Sequence, residues 1–169
     1  MTERSKRDED RIKARQARED TNVFARLASI YAASRKQAQR LLLGCGGLSI
    51  VEWRTLLDLH EVGPMTISDL ALTQRADHSL LSRALPDMRR KGLVSMRRAT
   101  NDGRQTIVEI SDIGEDAYRL AAPVMERRRA ALRDVFTDDE ITAFVGYLDR
   151  LEGFVRRPAS DIASKETAE

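Results

Sequence analysis

The segment from Met65 to Ser111 leaves the chain little freedom in how it folds. Gly63-Pro64 stops any helix that precedes it. Thr66 and Asp69 have the spacing of a capping box, with Asp69 in the acidic role, and open a short helix through Leu72. Asp77 is a good N-cap for a second helix, which runs to Lys91 and stops at Gly92. Leu80 or Leu81, Leu85 and Met88 turn inward on it. Leu93 to Arg98 and Thr106 to Ser111 read as paired strands joined around Asn101-Asp102-Gly103, whose Asp-Gly suits the positive φ of a tight hairpin. The second helix carries Ser and Arg residues on an open face, and the hairpin has Arg on its strands and at its tip. A helix sized for the major groove, followed by a basic finger, suits contact with duplex DNA.

Longer helices flank this segment. From Thr21 to Leu43 the apolar residues Val23, Phe24, Leu27, Ile30, Tyr31, Ala38, Leu41 and Leu42 recur mostly in steps of three and four, the stripe of one helix. Gly44, Gly46 and Gly47 end it. A second helix from about Ser49 to Val62 turns Val51, Leu56, Leu57 and Leu59 inward. Asp112 to Glu115 has the form of another capping box, starting a helix to about Arg133. Thr137 and Glu140 make a third, starting a last helix with Ile141, Phe144, Val145, Leu148, Leu151, Phe154 and Val155 apolar. Residues 1–20 are mostly charged and cannot offset the entropy of ordering unless they prolong the next helix. The polar tail after Pro158 is expected to be loose.

The expected organisation is a disordered extension (1–20), a first dimerisation helix (21–47), a DNA-binding lobe (48–112), C-terminal dimerisation helices (113–157) and a flexible tail (158–169). The fold class is mainly α with a small β-hairpin wing: a winged helix-turn-helix lobe plus a helical region. The terminal helices carry strong apolar stripes far apart in sequence. They fold back on their own core or meet those of a second chain. A helix hairpin standing off a small lobe leaves an exposed apolar face, which favours a twofold dimer.

Charge and chemistry narrow the function classes. Between Arg75 and Arg104 lie eight basic and three acidic residues, an excess of five positive charges in a chain of formal net charge +2. Such an excess suggests one polyanion-facing side. The chain has two histidines, His60 and His78. Asp77-His78-Ser79 contains the residue types of a triad, but helical neighbours one and two apart diverge. No phosphate-cradling glycine loop, paired-cysteine site or HExxH motif is present, so no catalytic residue, metal site or cofactor is expected. The lone Cys45 sits in LLLGCGGLS, with no adjacent cation to activate its thiol, and reads as inert. The longest uncharged run, Leu41 to Val51, is far short of the ~20 apolar residues of a bilayer span. The N-terminus is too charged for a secretory signal, so a cytoplasmic protein without membrane partners is expected.

At the level of motifs the chain resembles the MarR family of bacterial transcription regulators. GLSIVEWRTLLDL is similar to the start of the family's second helix, and ISDLA to the opening of its helix-turn-helix. DHSLLSRALPDMRRKGLV resembles the recognition helix through Asp77, Ser79, Leu81, Ser82 and Arg83. DGR at Asp102–Arg104 resembles the Asp-x-Arg of the wing, and ISDIG the start of the fifth helix. The resemblance spans roughly residues 22–155. It implies a homodimer held by the first and last two helices, binding a pseudo-palindromic operator, usually as a repressor, and often released by a ligand or oxidant. One departure is Pro86 inside the recognition helix, where proline cannot donate to the Ser82 carbonyl and its ring crowds that turn, so a bend is expected.

Expected DNA contacts follow. His78, Ser79, Ser82 and Arg83 lie early in the recognition helix, where side chains point at base edges. Arg83 either grips guanine O6 and N7 or serves a phosphate or an intrachain ion pair. Thr66, Ser68 and Gln74 are placed to donate to phosphates. Of Arg97 and Arg98, strand alternation aims one directly at DNA. Arg104 at the wing tip enters the minor groove, and Asp102 holds it or shapes the turn. Trp53 and Arg54 are candidates to line a crevice for a small aromatic or anionic effector, with Trp53 alternatively a core residue. A competing function is a winged helix used for protein contact or as an architectural DNA binder without ligand response.

Overall fold

The computed structural model describes residues 6–99 and 105–163, in two compact units, 1–125 and 126–169. The first unit begins with α1 (Lys6–Asp20) and α2 (Val23–Leu43), followed by α3 (Ile50–Val62). Then come β1 (Met65–Thr66), α4 (Ile67–Thr73), α5 (His78–Arg90), β2 (Val94–Arg98), β3 (Thr106–Ile110) and the start of α6 (Asp112–Ala130). The second unit holds the end of α6, a 3-10 turn (Ala131–Asp134), α7 (Asp138–Val155) and α8 (Ala159–Ala163).

Local chemistry sets most boundaries. Ser49 caps α3, accepting from the Glu52 N–H at 3.2 Å while the Glu52 carboxylate accepts from the Ser49 N–H at 2.6 Å. Thr66 with Asp69 and Thr137 with Glu140 form the same reciprocal pair at α4 and α7. At α6 the cap is Ser111 rather than Asp112. Its hydroxyl accepts from the Gly114 N–H at 3.0 Å and donates to the Gly92 carbonyl, so one side chain both caps the helix and ties it to the turn between α5 and β2.

Two expectations are corrected at the ends of the chain. The charged N-terminal stretch forms α1, with acids in its first turn, Arg18 in its last and an Arg15–Glu19 pair along it. It does not prolong α2, because Asn22 caps a new helix, accepting from the Phe24 and Ala25 N–H groups at 3.0 and 3.3 Å. Residues 159–163 add the short α8.

The sheet has the order β1-β3-β2, antiparallel throughout. Register pairs Val94 with Ile110 and Arg98 with Thr106. The short β1, absent from the expected elements, pairs Met65 with Val108. One core unites the lobe: Leu56 and Leu59 of α3, Leu70 of α4, Leu81, Leu85 and Met88 of α5, and Val94 and Val108 of the hairpin. Each fully buried Leu or Met contributes on the order of 1.5–3 kcal/mol relative to exposure. Leu81 rather than Leu80 takes the inward place. α5 runs unbroken through Pro86, which is exposed.

The apolar stripe of α2 is buried only toward its C-terminus, at Ala38 and Leu42, while Val23, Phe24, Ile30 and Tyr31 are exposed. In the second unit α7 buries no residue, leaving Phe144, Val145, Tyr147, Leu148, Phe154 and Val155 uncovered. Among the described residues no helix is long and apolar enough to cross a membrane.

Candidate nucleic-acid interface

The open face of α5 follows from its buried face. Leu81, Leu85 and Met88, at i, i+4 and i+7, are sealed in the core. Ser79, Ser82, Arg83 and Pro86 therefore lie on the outward side, all exposed, with His78 exposed ahead of them. Asp77 starts the helix, its carboxylate accepting from the Ser79 N–H at 2.8 Å. That hydrogen bond holds the Asp77 carboxyl below its ordinary range.

Arg83 folds back along the helix. Its Nε donates to the Ser79 carbonyl at 2.9 Å and an Nη to the Ser79 hydroxyl at 3.3 Å. The Ser82 hydroxyl donates to the same carbonyl at 3.2 Å. Ser79, Ser82 and Arg83 thus form one exposed, mutually bonded group, rich in donors that a phosphate or a base edge accepts. Arg83 is exposed, so its charge stays at the surface.

The flanking candidates divide. Ser68 is exposed on α4. The Thr66 hydroxyl is committed to its cap, accepting from the Asp69 N–H at 3.0 Å and donating to the Asp69 carboxylate at 2.6 Å. Gln74 is a correction: it is buried, 5% exposed, and its amide donates to Thr55 Oγ1 at 3.4 Å. Ile67, Leu70, Ala71 and Gln74 recur at i, i+3, i+4 and i+7, the inward stripe of α4, and that period would have placed it. Arg97 and Arg98 are both exposed on β2. Alternation puts Arg97 on the face of Ser95, and Arg98 on the face of Val94 and Met96, which packs on the core. Asp102 and Arg104 lie outside the described residues.

Of the effector candidates Trp53 and Arg54, Trp53 takes the core place that was its other reading. Trp53 is 5% exposed, and its ring stacks on Tyr118 of α6 at 5.6 Å with planes 7° apart. Tyr118 in turn stacks on His60, 4.0 Å between centroids, and His60 Nδ1 lies 3.0 Å from the Glu115 carboxylate. The indole is thus one rung of a packed ladder joining α3 to α6. Arg54 extends the other way, donating to the Gln74 carbonyl at 2.5 Å. Cys45 donates its thiol to the Leu41 carbonyl at 3.1 Å. Among the described residues no cluster of His, Cys, Asp or Glu could hold a metal ion.

Known proteins share this fold. Residues 48–106 match the model of the MarR family, from the start of α3 to the start of β3. The HTH-type transcriptional repressor IacR of Pseudomonas putida is 30% identical over 97 residues, 57% of this chain and 58% of that protein, so the chain spans little more than half of this relative. The M. tuberculosis transcriptional regulator MOSR, solved in complex with DNA, superposes with a TM-score of 0.68 at 22% identity, covering 80% of this chain and 98% of that one. The PcaV transcriptional regulator of Streptomyces coelicolor, solved with its natural ligand, gives 0.68 at 16% identity, covering 79% and 94%.

Proposed function

We propose that this chain, whose residues 48–106 match the model of the MarR family, is a member of that family and a homodimeric transcriptional regulator, a repressor rather than an enzyme, acting on a pseudo-palindromic operator. The observation that carries the reading is the exposed Ser79–Ser82–Arg83 group on a helix whose other side is locked in the core. Such a helix turns its exposed side chains outward, where base edges can be read. The basic excess around it supplies the phosphate-neutralising charge, and Arg97 and Ser68 are the backbone contacts best supported by exposure. Arg104 is our candidate for the minor groove.

Two apolar faces support the dimer. The exposed Val23, Phe24, Ile30 and Tyr31 on α2, and the exposed stripe of α7, are apolar faces of the kind that marks an interface. Twofold pairing would offer two recognition helices to successive major grooves. A small aromatic or anionic effector that releases DNA is part of the reading, by analogy with the ligand-bound neighbour PcaV. No residue is assigned to it.

The test is a selection from a random duplex pool, followed by anisotropy titration of the recovered operator over a salt series. If the dimer neutralises roughly six to eight phosphates, log affinity falls against log salt with a slope of about −5 to −7. A strictly monomeric protein in sedimentation, or one that recovers no preferred sequence, rejects the proposal. A dimer that binds duplexes without sequence preference points instead to an architectural role.

A further inference from the structure

A polar seam crosses the lobe between α3 and the helix-turn-helix, formed by side chains that the DNA-facing surface does not employ. Glu52, Thr55 and Asp58 recur every three residues and so share one side of α3, with Arg54 at its edge. Opposite them lie two fixed points. At one, Gln74 closes α4: its side-chain amide donates to Thr55 Oγ1 at 3.4 Å and its carbonyl accepts from Arg54 at 2.5 Å. At the other, Lys91 closes α5: its ammonium donates to Glu52 Oε1 at 2.7 Å and lies 3.3 Å from Asp87. Glu52 is only 4% exposed and is held by the Ser49 cap, so the carboxylate that receives Lys91 has little freedom of its own. Burial pushes the Glu52 carboxyl up, but the hydrogen bonds from Lys91 and Ser49 outweigh it and keep the group ionised below its ordinary range.

We infer that this seam positions the reading helix: Gln74 and Lys91 pin the turn and the far end of the helix-turn-helix to α3, and so set the angle at which Ser79, Ser82 and Arg83 meet DNA. The inference rests on the DNA-binding reading above. Apolar packing of Leu81, Leu85 and Met88 holds α5 to the core but is non-directional, and leaves rolling and sliding cheap. Hydrogen bonds of defined distance and angle do not. A base contact requires placement within about 0.5 Å and 10–20°, which the seam supplies. Lys91 is thereby a positioning residue, acting through the helix it closes.

The experiment measures Lys91→Met, Lys91→Arg and Gln74→Leu on the selected operator and on a scrambled duplex of equal length, over a salt series, with the melting temperature recorded alongside. Lys91→Met and Gln74→Leu are expected to lower the ratio of operator to scrambled affinity about tenfold or more, the loss of roughly one base contact per half-site. Affinity for the scrambled duplex and the salt slope should hold. Lys91→Arg, which still reaches Glu52, should restore the ratio. Equal losses on both duplexes with a salt slope reduced by about one per subunit would make Lys91 a phosphate contact and overturn the inference. So would an unchanged ratio in Lys91→Met. The half-exposed Lys91 pair keeps the test decisive if Gln74→Leu fails to fold. A wild-type protein that binds neither duplex defeats the DNA reading itself, a result distinct from either of these.

Discussion

Gly114 lies at the start of α6, where an alanine would ordinarily be welcome. In a helix interior, replacing Gly by Ala gains about 1 kcal/mol. Here a Cβ would fall 2.0 Å from the Leu93 carbonyl oxygen, 3.0 Å from the Leu93 carbonyl carbon and 3.0 Å from Ile110 Cγ1. The first two are backbone atoms and cannot turn aside. Relief requires α6 to withdraw from the start of β2 by more than an ångström. Withdrawal threatens three hydrogen bonds: Ser111 N–H to the Leu93 carbonyl at 3.2 Å, the Ser111 hydroxyl to the Gly92 carbonyl, and Gly114 N–H to the Ser111 hydroxyl at 3.0 Å. Two or three such bonds at about 1 kcal/mol each, plus about 1–3 kcal/mol of overpacking, outweigh the propensity gain. The net is a destabilisation of about 3 kcal/mol, or roughly 6–12 °C in melting temperature for a chain of this size. Thermal unfolding followed by circular dichroism on Gly114→Ala measures it. A melting temperature equal to or above wild type would refute the reasoning, since propensity alone would then have decided the outcome.

Four further outcomes are expected. Asp58 carries an Oδ2 that is buried without a hydrogen-bond partner; burial pushes its carboxyl up against the opposing pull of Gln74 and Arg54. A raised folded-state value means that stability is fullest below the unfolded value and is lost as pH rises through the folded one. Asp58→Asn should therefore raise the melting temperature near pH 7.5 and lose that advantage toward pH 4; a lower melting temperature at pH 7.5 contradicts this. Arg83→Ala should cost the operator about 1–3 kcal/mol and relax preference at one base position, whereas Arg104→Ala should cost about 1 kcal/mol or more without unfolding the protein; affinity unchanged in anisotropy removes the corresponding contact. Phe144→Glu places a charge on the uncovered face of α7 and should shift sedimentation from dimer to monomer, and an unshifted profile would take that face out of the interface.

What could be read from the residues alone was what local chemistry decides. Thr66 with Asp69 and Thr137 with Glu140 announce helix starts because capping is completed within four residues. The two paired strands of the hairpin and the inward Leu85 and Met88 follow from local pattern. The misread residues share a different cause: their partners are distant in sequence. Ser111 outcompetes Asp112 as a cap because its hydroxyl also reaches Gly92, nineteen positions away. The inward period of α4 would have buried Gln74, but it does not say that Thr55 claims its amide once α3 is folded against it. Lys91 stood in the sequence as one more positive charge, and only the fold shows that Glu52 receives it. A polar side chain's role depends on which acceptor arrives first, and period along one element does not carry that information.

Pro86 bears on where the reading helix acquires its shape. With no N–H at that position the Ser82 carbonyl loses its backbone partner, leaving a gap in the ladder of a helix only 13 residues long. Helices of that length are marginal in water even when the ladder is complete. Cut out as a peptide, the stretch should be coil. In the protein it is held helical from behind, by burial of Leu81 and Leu85 before the gap and Met88 after it. The surface offered to DNA is therefore a property of the lobe's interior, and a cavity opened beneath it would blur sequence discrimination before it unfolded the chain.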